Sequence, residues 1–305
     1  NGADVDIARS YLADEPAVAR GFAEDWDPIA QVRNRLDTLI VHGHPIDKLE
    51  YIIEGGTYTE FPQDYLEEFN RDLYYVANTY FDVSPKREKF ALSKEMRINI
   101  NSKIKVIGIC IETRPDALLD DNNKYGDKYF WLRFFRRNGI TRVQLGLQHT
   151  DPYILKKCNR GHTYQDSVDA AVLLINNGFK LDCHVMPDLP YATPKKDRLM
   201  LKTVMEAGLW DGIKIYPYAA VPWSVYKKQL DCGKISLYSE NNREELFDVI
   251  KYGLKIIPYW MRCARTQRDI PSTYISYGND TTNTRSIIEE ELEREGVVLN
   301  EIRSR

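Results

Sequence analysis

Short apolar runs alternate along this chain with stretches of helical period, and glycine, proline and polar residues gather where one gives way to the other. Pro28 opens a helical stretch with Ile29, Val32, Leu36, Leu39 and Ile40 at core spacing. A strand follows at 49–53, stopped by Gly55 and Gly56, and 61–81 has the period of a helix with Leu66, Phe69 and Leu73 on one face. Residues 83–101 are charged and irregular, with a helical turn at 93–97, and fit an insertion or loop. Beyond them the alternation becomes regular. Strands at 104–111, 142–147, 181–186 and 212–216 are interleaved with helices at 130–138, 164–177, 195–207 and 242–257, and 287–294 is a further helix. The run at 104–111 is nearly continuous in apolar residues, as expected of a parallel strand buried on both faces. Five parallel strands, each followed by a helix, predict an α/β protein built as a partial β/α barrel.

The junctions carry the chemistry. Parallel barrels place their working residues at the C-terminal ends of successive strands. Here those ends hold Glu54 to Thr57, Glu112 to Asp116, Gly146 to Asp151, Met186 to Pro190 and Lys214 to Pro217. Gly55 and Gly56 suit a tight turn and also a close backbone approach to a ligand. Glu112, Arg114 and Asp116 combine carboxylates with a cation, which serves a structural ion pair as well as a site. Gln148 and His149, followed by Asn159, Arg160 and His162, suit a polar ligand with a carboxylate. Asp188, between two prolines, suits either ribose hydroxyls or a loop cap. Lys214 and Tyr216 share one face of the last strand, where a buried lysine requires a partner.

Composition narrows the classes. The chain has 305 residues and a formal charge of −3, so no overall field draws it to nucleic acid. Basic and aromatic residues nonetheless interleave at 133–142, 195–198, 227–228 and 262–268, and twenty tyrosines and five tryptophans offer stacking surfaces. No apolar run is long enough to span a membrane, and no secretory leader opens the chain. The five cysteines are scattered, without a Cys-x-x-Cys pair, as expected of free thiols in the cytoplasm. No Walker loop, zinc helix or nucleophile triad is present.

Taken in register, the stretches 43–57, 111–116, 141–148, 159–163, 184–190, 214–217 and 267–271, with Tyr11, Glu15 and Pro16, resemble the radical S-adenosylmethionine (SAM) domain of the Elongator catalytic subunit family, the tRNA wobble-uridine modifying acyltransferases. The resemblance implies a partial TIM-like barrel of the radical SAM type over 28–305, with a C-terminal helical extension. It makes 1–27 the segment after a cluster-binding loop. It implies that Gly55, Gly56 and Thr57 hold the amino group of SAM, that Gln148, Arg160 and Asp188 meet its carboxylate and ribose, and that Glu112 belongs to the same set. It further implies acetyl-CoA handling by Lys48, a catalytic pair Lys214 and Tyr216, and tRNA contacts by Lys195, Lys196, Arg198, Arg265 and Arg268. The reaction so implied generates a 5′-deoxyadenosyl radical and adds an acetyl-CoA-derived acetyl or carboxymethyl group at C5 of uridine 34. Other Elongator-type subunits or self-association are implied as partners. The family binds its 4Fe-4S cluster through three cysteines before the segment resembling 1–16. Here no cysteine precedes Cys110, so cluster ligands and any metal site are expected to be absent from this chain, as is the acetyltransferase domain of the GNAT type, and the chain alone is expected to be inactive. The insert at 118–129 departs from the family. A cluster-free tRNA-binding scaffold and a barrel for an unrelated small molecule are the alternatives.

Overall fold

The computed structural model describes residues 11–83, 86–119, 127 and 129–304, so residues 1–10 and most of the 118–129 insert lie outside it. Its strands are β1 (Lys48–Ile53), β2 (Lys105–Thr113), β3 (Arg142–Gln148), β4 (Lys180–Val185), β5 (Gly212–Ile215), β6 (Ala219–Ala220), β7 (Arg262–Arg265) and β8 (Tyr277–Gly278). Six of them form one parallel sheet in the order β1-β2-β3-β4-β5-β7, curled into a half-barrel, and β6 pairs with β8 in a short antiparallel ribbon. Spatial order follows chain order, as short right-handed β/α crossovers dictate.

The strands are not apolar on both faces. Ile109, Ile111, Val143, Leu145, Leu147, Leu181, Cys183, Val185, Ile213 and Ile215 are fully buried on the outer face, among the residues of the main core. Trp131 and Phe135, Ala170 and Leu174, Leu201 and Val204, and Leu246 and Ile250 from the surrounding helices belong to the same core. Each such fully buried aliphatic side chain contributes about 1.5–3 kcal/mol. The alternate positions, Cys110, Glu112, Gln144, Asp182, His184 and Lys214, share the opposite face and line the lumen.

The expected helical stretches are found, and helices that the period did not mark are added, Pro16–Ala23, Pro152–Lys157 and Val225–Asp231 among them. Residues 83–101 hold a helix, Leu92–Asn99, which packs on the helix Gln63–Thr79. A buried carboxylate explains it: Glu95 accepts both guanidinium nitrogens of Arg87 at 2.7 Å, the Phe90 N–H at 2.9 Å and the Asn78 amide at 2.8 Å. Charge made the segment look like a loop, yet its central charges pair, Arg87 with Glu95 and Lys89 with Asp72. On the helix Pro28–Val41, only Leu36 is fully buried and Ile40 is exposed, so its apolar stripe is narrower than the spacing implied.

The sixth parallel strand, β7, was not expected. Its sequence, within the basic run at 262–268, lacks a long apolar signature, and the sheet recruits it by pairing with β5. The helix Thr284–Arg294 then closes the C-terminal part, with Lys251 bonded to Glu291 at 3.0 Å and to Glu295 at 2.5 Å.

The loops at the C-terminal ends of β3 and β4 are fastened by one buried carboxylate. Asp197, wholly buried near the start of the helix Pro194–Glu206, accepts from His149 Nε2 at 3.0 Å, from the Asp188 N–H at 2.7 Å and from the Tyr238 hydroxyl at 2.6 Å. His149 Nδ1 accepts the Asp151 N–H at 2.8 Å, so its partners place the ring proton on Nε2. Replacing Asp197 by Ala strands three buried donors. We expect a loss of unfolding free energy on the order of 3 kcal/mol or more in urea denaturation, since each orphaned buried donor costs about 1–3 kcal/mol. A loss below about 1 kcal/mol would show that these loops are held by packing alone.

Candidate functional site

The mouth of the half-barrel is built from strand ends. After β1 the chain turns at Gly55 and Gly56. Gly56 has φ +77°, a conformation that an L side chain strains to adopt, and Thr57 N–H donates to Gly55 O at 3.0 Å. Gly55 is exposed, and Gly56 and Thr57 are half-buried, so the backbone here faces the mouth's open side.

At the end of β3, Gln148 takes a left-handed backbone at φ +70°. A Cβ at Gly146 would sit 3.1 Å from Gln148 Nε2 and 3.5 Å from Arg160 Nη2. Absence of a side chain at Gly146 is therefore what lets an amide and a guanidinium lie together over the strand. Arg160 is largely buried, and its Nε finds no hydrogen-bond partner. Burial, then the adjacent Arg114 charge, push its pKa down from the usual guanidinium value. Arg114 is itself satisfied by Asp116, at 3.0 Å from Nε and 2.5 Å from Nη2. His162 sits beside them with Nε2 3.3 Å from Leu147 O and Nδ1, without a hydrogen bond, 3.8 Å from Asp116 Oδ1, and burial pushes its pKa down. Such a buried cation, without an acceptor for one of its donors, is poised for an anion.

Below the mouth the lumen is an ordered polar seam. Glu112 accepts the Tyr11 hydroxyl at 2.5 Å and the Lys214 ammonium at 3.3 Å. His184 Nε2 donates to Gln144 Oε1 at 2.9 Å, and Gln144 Nε2 is 3.4 Å from Asp182. Arg142 joins Asp182 at 2.7 Å and Glu50 at 3.3 Å. Burial first, then the Lys214 and Arg268 charges, hold His184 well below the ordinary imidazole value, so it stays neutral. Tyr216 caps the seam, its ring 5.5 Å from that of His184 and 5.8 Å from Lys214 Nζ; burial holds its hydroxyl protonated and able to donate.

The structure brings Gly55, Gly56, Thr57, Gln148 and Arg160 to the mouth, with Glu112, Lys214 and Tyr216 on the lumen face beneath. It takes Asp188 and His149 out of it. Asp188 is fully buried, and its carboxylate accepts from Tyr238 N at 2.9 Å, Ser239 N at 3.3 Å and the Ser239 hydroxyl. A ribose would have to displace these donors; bonded this way, the Asp188 carboxylate acts as the cap of its loop. Lys48 opens β1 and Gly55 lies past its other end, with a strand of about 16 Å between them, so the two do not share a pocket. The basic residues separate as well. Lys195, Lys196 and Arg198 stand at the start of the helix Pro194–Glu206, with Lys196 bonded to Asp151 at 3.0 Å. Arg265, paired with Asp269, and Arg268, 3.7 Å from Glu15, instead act electrostatically on Tyr216 at the mouth. Sequence reasoning missed Gln144 and Asp197 as organisers, whose only signal was position in a strand or a first helical turn, and it named Tyr11 only within the resemblance. Arg114 and Asp116 form the ion pair it allowed for.

Among the described residues, no three histidine, cysteine, aspartate or glutamate side chains converge to hold a metal. Cys110, Cys183 and Cys263 are buried, with burial pushing their thiols up, to about 12 for Cys263. A thiolate-held cluster does not fit these residues. Nor does any helix of the described residues have the length and apolarity to cross a membrane.

The model of the radical SAM superfamily matches residues 73–200, and that of the radical SAM C-terminal domain matches 210–294. The chain is 33% identical over 302 residues to the tRNA uridine(34) acetyltransferase of Methanocaldococcus infernus, covering 98% of this chain and 53% of that protein. It is 32% identical to Elongator complex protein 3 of Schizosaccharomyces pombe, over 97% of this chain and 52% of that one. The solved archaeal Elp3 of M. infernus with an N-terminal deletion superposes with a TM-score of 0.82 at 32% identity, over 93% of this chain and 63% of that chain. This is a radical SAM barrel, of a superfamily that works with SAM and a 4Fe-4S cluster. More narrowly, the chain belongs to the family of the Elongator catalytic subunit and the tRNA uridine(34) acetyltransferases. It spans about half the length of the curated relatives it matches.

The loop cap is itself testable. Burial, with the Asp197 charge, raises the Asp188 pKa to about 7, against the opposing hydrogen bonds from Ser239 and Tyr238. Folding therefore takes up a proton between the ordinary carboxylate value and about 7, and stability contributed by Asp188 falls as pH rises through that window. Asp188→Asn should flatten the decline in unfolding free energy between pH 5 and 8, relative to wild type. Parallel profiles would place the titration elsewhere.

Proposed function

We propose that this half-barrel is the SAM- and tRNA-binding core of a cytoplasmic enzyme that modifies C5 of uridine 34 in tRNA with an acetyl-CoA-derived acetyl or carboxymethyl group. One observation supports it above the others: the buried Arg160 guanidinium, lacking an acceptor at Nε, lies with Gln148 over the side-chain-free Gly146. That is a receptor for a carboxylate, and the methionine end of SAM carries one. SAM, when bound, supplies the adenosyl group on which the superfamily's chemistry turns. Carbonyl and hydroxyl oxygens of the Gly55–Gly56–Thr57 turn are suited to accept from its ammonium, while Arg160 and Gln148 donate to its carboxylate.

Beneath the cofactor position, Lys214 and Tyr216 are the donors facing an incoming base. The Glu112 carboxylate holds the Lys214 ammonium in place, and Tyr216 keeps its proton. Lys48 serves a separate surface. Exposed and in register beside Lys105, it offers two cations to the phosphate-bearing tail of acetyl-CoA. The cations Arg265 and Arg268 at the mouth, with Lys195, Lys196 and Arg198 at its rim, would meet the tRNA backbone. Association with further Elongator-type subunits belongs to the same proposal, and the five free cysteines suit the cytoplasm.

Calorimetric titration of the purified chain with SAM tests the receptor. Arg160→Gln should weaken SAM binding about tenfold or more, the worth of a charge-assisted pair. Because the guanidinium is poorly satisfied in the fold, the melting temperature should hold or rise. Unchanged SAM affinity with a lowered melting temperature would make Arg160 a structural cation and remove this reading.

A further inference from the structure

Between the ends of β3 and β4 lies a cluster that neither the cofactor site nor the lumen uses. Tyr153, on the helix Pro152–Lys157, meets Tyr191, in the loop after Pro190, edge to face with ring centroids 5.9 Å apart. Tyr153 is 51% exposed. Lys157 Nζ lies 5.5 Å from the Tyr153 ring and 5.8 Å from that of Tyr191, and Lys196 Nζ lies 5.5 Å from Tyr153 on the rim. Lys196 is balanced by Asp151, whereas Lys157 is exposed and carries no ion pair among the described residues.

The backbone shows that this arrangement is maintained against a local cost. Tyr191 has φ +73°. A bulky L residue in that region costs about 1–2 kcal/mol, and persists only where surrounding structure over-determines it. Here the determinants are visible. Tyr191 packs on the satellite core of Ile154, Leu189 and Tyr218, and the Asp197 hub holds the Asp188 backbone just before it. On the other side, Asp151 caps the helix bearing Tyr153 at 2.8 Å, and the Tyr226 hydroxyl donates to Lys157 O at 2.9 Å. Two rings are thus held rigid, one largely open, with cations at their margins. An unpaired nucleobase needs an aromatic face, and its flanking phosphates need cations spaced around it.

We infer that Tyr153 and Tyr191, flanked by Lys157 and Lys196, form a cradle in which an unstacked base of single-stranded RNA rests at the rim of the barrel. The inference rests on the tRNA reading above and adds a subsite to it. Stacking requires only the ring, so it is insensitive to base identity, while Lys157 and Lys196 contribute through phosphate.

Fluorescence anisotropy with a labelled anticodon stem-loop RNA, and with a fully paired duplex of equal length, tests it on the whole chain across a salt series. Tyr153→Ala should weaken stem-loop binding about fivefold or more, the scale of one base–aromatic stack. The slope of log affinity against log salt should stay unchanged, and so should duplex binding. Tyr153→Phe should restore affinity, because the hydroxyl plays no part. Lys157→Gln should weaken binding and reduce the slope by about 0.7, the loss of one phosphate contact to a single strand. Tyr191→Gly removes the second ring and suits the backbone's left-handed conformation, so it should weaken stem-loop binding without lowering the melting temperature. Wild-type affinity in Tyr153→Ala and Tyr191→Gly overturns the cradle while leaving RNA binding intact. If Tyr153→Ala fails to fold, an unchanged slope in Lys157→Gln with unchanged affinity in Tyr191→Gly does the same. A wild-type chain that binds neither RNA overturns the tRNA reading itself.

Discussion

The mouth of this barrel depends on Asp197. Loops at strand ends are where a barrel places its chemistry, and loops are also where a chain is least constrained. One buried carboxylate resolves that conflict by accepting from His149 after β3, from the Asp188 backbone after β4, and from Tyr238 in the segment beyond β5. Three loops far apart in sequence are thereby fixed to the first turn of one helix. A buried carboxylate persists only when its lone pairs are met, so the hub and the loops require each other. Asp188 extends the same fastening to Tyr238 and Ser239.

Beneath the mouth, the sheet works under a second constraint. Its outer face buys stability by burying branched aliphatic side chains against helices, which leaves the inner face to hold charge. The seam of Glu50, Arg142, Asp182, Gln144 and His184, and that of Tyr11, Glu112 and Lys214, pair nearly every charge they carry. Arg160 is the contrast. Its Nε is buried and unmet beside another arginine, in a protein whose other buried charges are carefully satisfied. That inconsistency is what supports the binding role proposed for Arg160, since function is where local rules are broken.

Much of the fold and part of the site were legible beforehand. The helices at Phe130–Arg137 and Tyr164–Asn176 and the strands β1 to β5 follow hydrophobic period and glycine stops, which are local signals. Strand β7 was hidden because four residues with arginine at both ends carry no such signal; only the exposed edge of β5 makes them a strand. The helix Leu92–Asn99 was obscured for a related reason, its Glu95 carboxylate being paired in space with Arg87 and Asn78 rather than solvated.

By itself the sequence determined the β/α alternation, its family, and the positions of Gly55, Gly56, Gln148, Lys214 and Tyr216 at strand ends, because period and turn chemistry are properties of neighbouring residues. Only the tertiary structure decided what each side chain faces. It turned Asp188 and His149 inward as fasteners, set Lys48 on the opposite rim, separated the inward-acting Arg265 and Arg268 from the lysines of the helix Pro194–Glu206, and paired Lys214 with Glu112. Those outcomes depend on which groups compete for the same buried donors and acceptors, and that competition exists only once residues a hundred positions apart are brought within hydrogen-bond reach.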